Sequence, residues 1–219
     1  MSRLKLIIGN KNYSSWSLRP WLVLKQSALS FDELRIPLYT DSSKRDILRH
    51  SPSGKVPVLE DGDITIWDSL AICEYLAERF PEKELWPKEV AARAVARSVS
   101  AEMHSGFSNL RQNMTLNCRG SFPGKGMAQG VQEDIDRIQG IWNDCRRRFG
   151  SGGPMLFGHF TVADAMYAPV VLRFATYGVK TDPLSEDYMA SIQALAPIQE
   201  WLAAARAEPE FISQFEMYR

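Results

Sequence analysis

The feature that most constrains this chain is a change of apolar rhythm at Pro81. Before it, short β-rich runs alternate with helix-like segments; after it, the strand signals disappear. LKLIIG (4–9) reads as a strand ending in glycine, and apolar residues from Ser17 to Leu29 recur at helical spacing. ELRIPL (33–38) reads as a second strand and KRDILRH (44–50) as a short helix. VPVLE (56–60) and ITIW (64–67) flank a turn as a hairpin, and Ser69 to Phe80 is again helical. Pro81 and Pro87 bracket a polar stretch that reads as a linker. Segments 89–117, 128–149, 161–177 and 186–206 then read as helices, broken by RGSFPGKG and GSGGP. The pattern predicts an α/β domain over 1–81, a linker over 82–88 and an all-α domain over 89–219.

Two domains suit a chain of 219 residues. Lys plus Arg equals Asp plus Glu at 26 each, so nothing points to a broad nucleic-acid surface. Arg146, Arg147 and Arg148 read as the basic last turn of a helix, where cations complement its dipole. No apolar run approaches the roughly 18 residues of a membrane span, and the apolar core of MSRLKLIIGN is too short for a secretory signal. Cys73, Cys118 and Cys145 are odd in number and far apart, which fits a reducing cytoplasm. No Cys/His cluster has metal-ligand spacing, so no metal is expected.

The stretch NYSSWSLRPWLVL carries the first chemical hint. Pro20 lacks an N–H and is tolerated only near a helix start. The helix is therefore expected to begin near Trp16 to Leu18, with Ser14, Ser15 or Ser17 at its N-cap. Ser14 and Ser15 then sit where a buried strand meets a helix amino terminus, a place suited to an anion. A nucleophilic serine would need an adjacent base, but the chain has only His50, His104 and His159 and no GxSxG elbow. Two roles remain open: a plain cap, or a hydroxyl donor to an anion such as a thiolate.

SPSGKVPVL (51–59) places Val56-Pro57 at a strand start, an unusual position for proline. A cis bond there would turn the backbone groups of Val56 outward, ready to pair with an extended peptide. Asp68-Ser69 opens the next helix. Its carboxylate suits an ammonium, and its hydroxyl with the helix N–H groups suits a carboxylate. The implied ligand is short and peptidic, with an α-amino-acid end and a thiol.

At this point the chain resembles the cytosolic glutathione transferases over nearly its whole length. SSWSLRPWLVL is similar to the zeta-class pattern of two serines followed by C-S-W-R-V-R-I-A-L, with Arg19 at the first arginine and Trp16 where that pattern has cysteine. GKVPVL and DSLAICEYL resemble the family's glutathione-binding Val-Pro and acidic-Ser segments, and GHFTVADAMYAP its helical-domain capping box, here Thr161 with Asp164. The nearest resemblance is to zeta-like and tau-like serine-type members.

The resemblance implies a thioredoxin-like first domain, an all-helical second domain and a cytoplasmic homodimer that binds glutathione and a small electrophile. Ser14 matches the serine that activates the thiol, and Ser15 is the alternative. Val56, with Pro57, matches the backbone anchor, Lys55 a tau-type lysine beside it, and Asp68 and Ser69 the γ-glutamyl site; Ser42 to Lys44 should approach the glycyl carboxylate. The electrophile should meet Tyr13, Trp16, Met103, His104, Phe107, Arg111, Arg173 and Tyr177, although Met103 and Phe107 fall equally well at core spacing. Arg111, Arg119 and Arg173 would favour anionic electrophiles, with His104 and Arg111 two helical turns apart on one face. The expected activity is transfer of glutathione to a soft electrophile. The alternatives are maleylacetoacetate-type cis–trans isomerisation and a ligand-binding protein without catalysis. A zeta-type isomerase carries an arginine where this chain has Thr176, one turn after Arg173.

Overall fold

A computed structural model describes residues 3–218 of the chain. Its sheet has four strands, β1 (Leu4–Ile8), β2 (Phe31–Arg35), β3 (Val58–Asp61) and β4 (Ile64–Trp67), in the order β2-β1-β3-β4. β1 runs parallel to β2 and antiparallel to β3, and β3 pairs antiparallel with β4. As an interior strand, β1 is buried on both faces. Leu4, Leu6 and Ile8 enter the main core, while Ile7 joins a small cluster with Ile36, Ile47 and Val58. That division is the two-residue strand period expressed as two cores.

Helix α1 (Ser15–Gln26) connects β1 to β2, α2 (Ser43–Leu48) precedes β3, and α3 (Ser69–Arg79) follows β4. The helical part comprises α4 (Val90–Ser105), α5 (Ser108–Asn113), α6 (Val131–Phe149), α7 (Val162–Tyr177), α8 (Pro183–Gln193) and α9 (Ala196–Ala207). α7 is its axis: nearly all of its residues are buried, and it packs on α1, α4 and α8. A single hydrophobic cluster thus joins Leu6, Leu18 and Trp21 of the α/β part to Val170, Phe174 and Trp201 of the helical part. This is an α/β unit with an all-helical partner, as the apolar rhythm predicted, and the α/β unit is the thioredoxin-like one that the resemblance implied.

Asp164 secures the start of α7, accepting from Thr161 N at 2.8 Å, Thr161 Oγ1 at 3.0 Å and Leu156 N at 3.0 Å. The three arginines 146 to 148 do occupy the last turn of α6. Several predicted boundaries move. β2 covers Phe31–Arg35 rather than 33–38, because Pro37 has no N–H to continue the ladder. α1 begins at Ser15, so Pro20 lies one to three residues deeper than expected.

Two of the long predicted helices break. The segment 89–117 divides where Gly106 is extended and Phe107 takes φ 60°. The segment 186–206 divides at Leu195, whose extended backbone leads into the proline-bearing first turn of α9. Beyond α9, residues 208–218 return to the α/β part as a strap. The Glu208 carboxylate accepts from Lys11 N and Asn12 N at 2.7 and 3.1 Å, and Glu216 accepts from Tyr13 Oη at 2.6 Å. Among the described residues no helix is long and apolar enough to cross a membrane.

Candidate active site

Ser14 is the N-cap of α1. Its oxygen accepts from Ser17 N at 3.3 Å, and its hydroxyl donates to Ser17 Oγ at 2.8 Å. Ser17 Oγ in turn accepts from Gly9 N at 3.1 Å, which ties the cap to the end of β1. Ser14 therefore caps the helix and also lines two adjoining cavities, so the two roles left open by the sequence are compatible. Ser15 differs: its Oγ accepts from Arg173 Nη2 at 3.3 Å, binding the start of α1 to α7.

A cavity of about 440 Å³ lies between the Val56-Pro57 turn and the start of α3. The Val56–Pro57 bond is cis. Lys55, Val56, Pro57, Asp68 and Ser69 all line this cavity. Asp68 holds φ 77°, an uncommon backbone for a residue with a Cβ, and its Oδ1 caps α3 through Leu70 N at 2.9 Å and Ala71 N at 3.2 Å. Ser69 is buried, and its Oγ has no hydrogen-bond partner. A buried hydroxyl left unsatisfied at a cavity wall is a group prepared for a ligand.

A neighbouring cavity of about 580 Å³ carries Ser14, Val56, Ser43 and Lys44, the last two from the segment that the resemblance assigned to the glycyl carboxylate. A third, of about 220 Å³, lies over Ser14 and Ser15 and is bounded by Tyr13, Arg111, Arg173 and Phe215. Trp16 borders all three. Its indole is held between two cations, with the Arg19 guanidinium carbon 4.5 Å and that of Arg111 4.8 Å from the ring centroid.

Arg19 is fully buried and none of its three guanidinium nitrogens has a hydrogen-bond partner. Burial, with Arg111 and Arg173 nearby, pulls its pKa well below the usual arginine value. Arg173 is also buried, lowered to about 10 by burial and then by Arg111. It donates from Nε to Met114 O at 2.8 Å, but its Nη1 is unpartnered. The third cavity thus carries surplus positive charge.

The predicted electrophile residues divide. Tyr13, Trp16, Arg111 and Arg173 do line the third cavity. Met103 and Phe107 belong to the hydrophobic core, so the core alternative holds for both. Arg111 does not share a helix with His104, because the chain breaks between them. Its guanidinium folds back onto the end of α4, donating to the carbonyls of Met103, His104 and Gly106. His104 faces the first cavity instead, with Nε2 at 3.1 Å from Asp68 Oδ2. Arg119 serves the C-terminal strap through Glu208 O, Glu210 O and Tyr13 Oη. Tyr177 donates to Thr115 O, and Thr176 to Asn117 O. Sequence reasoning missed Arg19 as part of this environment, and it missed Tyr39 and Phe215 as cavity walls. Arg19 sits inside a core-facing helix, and Phe215 acquires its place only through the strap.

A thioredoxin-like sheet with a capped helix start beside a cis-proline turn, joined to a helical partner, defines a glutathione-transferase-like architecture. The chain belongs to the glutathione S-transferase family, a family of enzymes: the family's N-terminal domain model matches residues 13–79 and its C-terminal domain model residues 128–204. It is 28% identical to a probable maleylacetoacetate isomerase of Caenorhabditis elegans over 87% of each chain. It is 33% identical to glutathione S-transferase 1 of Dianthus caryophyllus over 52% of each chain. Among solved structures, a glutathione transferase homolog from Burkholderia GL BGR1 with bound glutathione has TM-score 0.71 at 22% identity, covering 94% of this chain and 100% of that one. The tau-class enzyme of mango, Mangifera indica, has TM-score 0.70 at 20% identity, covering 98% and 96%. These structural likenesses concern the fold.

Proposed function

We propose that this protein is a serine-type glutathione transferase acting on a soft electrophile that carries an anionic group. Glutathione lies with its α-amino-acid end at Asp68 and Ser69, its backbone along Val56 and its sulfur at Ser14. The observation that carries this reading is the unsatisfied buried hydroxyl of Ser69, set on the same cavity wall as Val56 and Asp68.

At the start of α1 the free N–H groups and the helix dipole favour an anion, and the Ser14 hydroxyl adds a donor. The thiol proton leaves to solvent, and the thiolate attacks the electrophile bound near Arg111 and Arg173. A carbon–sulfur bond forms while a leaving group departs, or the addition is completed by a proton from water. The protein contributes a lowered thiol pKa and proximity. Ser14 turns its hydroxyl from Ser17 to sulfur, and Ser17 can then donate to Ser14 in return.

Arg173 supports a second reading, isomerisation of a maleylacetoacetate-like diacid. It stands one turn before Thr176 with an unpartnered nitrogen at the third cavity. In that reaction the thiolate adds to the double bond, the new single bond rotates, and elimination returns glutathione unchanged. A non-catalytic binding protein is the remaining alternative. The proposal further takes the protein to be a cytoplasmic homodimer with a detoxifying role, and three free buried cysteines support a reducing compartment.

Calorimetric titration with glutathione, followed by thiolate absorbance as a function of pH, tests the reading. Saturable binding and a bound-thiol pKa at least one unit below the roughly 8.5 of a free thiol are expected; binding with an unshifted thiol leaves only the binding protein. Following glutathione consumption separates transfer, which uses it up, from isomerisation, which does not.

A further inference from the structure

His104 comes from the helical part of the chain, yet its ring reaches the start of α3. Nε2 stands 3.1 Å from Asp68 Oδ2, and the ring meets Trp16 edge-on at 5.3 Å between centroids. Nδ1 is buried and has no partner. That pattern selects one protonation state. A neutral ring with hydrogen on Nε2 donates to Asp68 and leaves a bare lone pair on Nδ1. A protonated ring would bury a second N–H with nothing to accept it. Every charged group facing the ring is accounted for: Asp68 from the β4–α3 turn favours the cation, whereas Arg19 of α1 and Arg111 of α5 oppose it. Burial is the strongest opponent of the charge, and the pKa lies below the usual histidine value.

Resting on the glutathione reading above, we infer that His104 is a positioning residue for the γ-glutamyl end of glutathione: as a neutral donor it fixes Asp68 Oδ2 toward the ligand ammonium, and its protonation expels that ammonium. Asp68 divides its oxygens between two tasks. Oδ1 caps α3, so Oδ2 is the oxygen left for a ligand, and among the described residues only His104 stands against it. Neutral His104 orients that oxygen without cancelling its charge. Cationic His104 would both neutralise Asp68 and repel an ammonium arriving at the same oxygen. Glutathione affinity therefore falls as pH drops through the His104 pKa, by at most a factor of about ten per pH unit for one linked proton.

The test is calorimetric titration of the full chain with S-methylglutathione, whose sulfur cannot ionise, at about pH 7.5 and about pH 5.5, on either side of the usual histidine range. Native protein should bind several-fold more weakly at the lower pH. His104→Gln keeps an N–H donor that cannot become charged, and should restore affinity at both values with less than about a twofold difference between them. His104→Phe removes the donor and should weaken binding about tenfold at both, the worth of one hydrogen bond to a charged group. The histidine NMR signal that vanishes in His104→Gln should report a pKa that falls further when glutathione is added. A native pH dependence reproduced in His104→Gln overturns the assignment, as does native affinity in His104→Phe. If the native chain gives no heat with reduced glutathione at the higher pH, the glutathione reading itself fails and takes this inference with it.

Discussion

Arg173 donates from Nη2 to Ser15 Oγ at 3.3 Å, across 158 positions of the chain. The opening turn of α1 is thereby fastened to the buried axis of the helical part. Ser15 already serves as an acceptor for a cation, whereas the Ser14 hydroxyl can turn toward a ligand. The two adjacent serines therefore hold different posts.

Replacing Ser14 should show this asymmetry. Ser14→Ala is expected to lower kcat/KM for glutathione transfer by about 10²-fold, the usual cost of losing one donor to a developing or resident anion. It should also cost about 1 kcal/mol of stability as a lost N-cap. Ser15→Ala should reduce turnover far less. Steady-state kinetics with urea unfolding of both variants checks the pair, and equal or reversed kinetic effects reject the assignment.

Ser17 should act through Ser14. Its Oγ accepts a hydrogen bond from the Ser14 hydroxyl, and on the proposed mechanism it becomes the return donor once Ser14 serves the thiolate. Ser17→Ala is expected to raise the bound-thiol pKa by roughly half a unit to one unit, with little change in the Kd of neutral-thiol glutathione. Thiolate absorbance titrations measure this, and an unchanged thiol pKa would count against the relay.

Arg173 should sort electrophiles by charge. Arg173→Met removes a cation from the third cavity while keeping a long apolar stem. Turnover of a carboxylate-bearing electrophile should fall at least about tenfold relative to an uncharged one of similar size. The ratio of the two kcat/KM values is the readout, because a general loss of folding would lower both equally.

The start of α8 offers a test of stability against pH. Asp182 accepts from Leu184 N, Ser185 N, Ser185 Oγ and Asn143 Nδ2. Burial pushes its pKa up, but these bonds outweigh it and hold the carboxyl below its usual value. A lowered folded pKa means the unfolded chain takes up the proton more readily. The stabilisation is complete above the ordinary carboxylate range and is lost as pH falls through the lower folded value. Asp182→Ala should cost about 1–2 kcal/mol at neutral pH, and the difference from native protein should shrink in urea unfolding as pH falls below the ordinary carboxylate range.

The sequence disclosed what depends on neighbours close along the chain. The two periods, the capping box of Thr161 with Asp164 and the capped helix start at Ser14 are local devices, and each was legible. The break at Gly106 and Phe107 was hidden because Met103, Phe107 and Leu110 keep helical spacing straight through it, and each is buried. His104 was therefore assigned to the wrong cavity: a continuous helix would have carried it beside Arg111. Arg19 stood out only as a match to the zeta-class pattern; its burial carried no signal, since a cation at a core-facing position is normally expected to reach solvent. Its confinement beneath Trp16 arises from packing between the two parts of the molecule.

The strap of residues 208–218 fixes an order of assembly. Glu208, Glu216 and Phe215 leave the ribosome after Lys11, Tyr13 and Arg119, the partners they hold. A growing polypeptide can form its sheet and most of its bundle, but the wall that Phe215 gives the third cavity must wait for translation of those late residues. Until they arrive, Tyr13 and Arg119 stand without their closing neighbours.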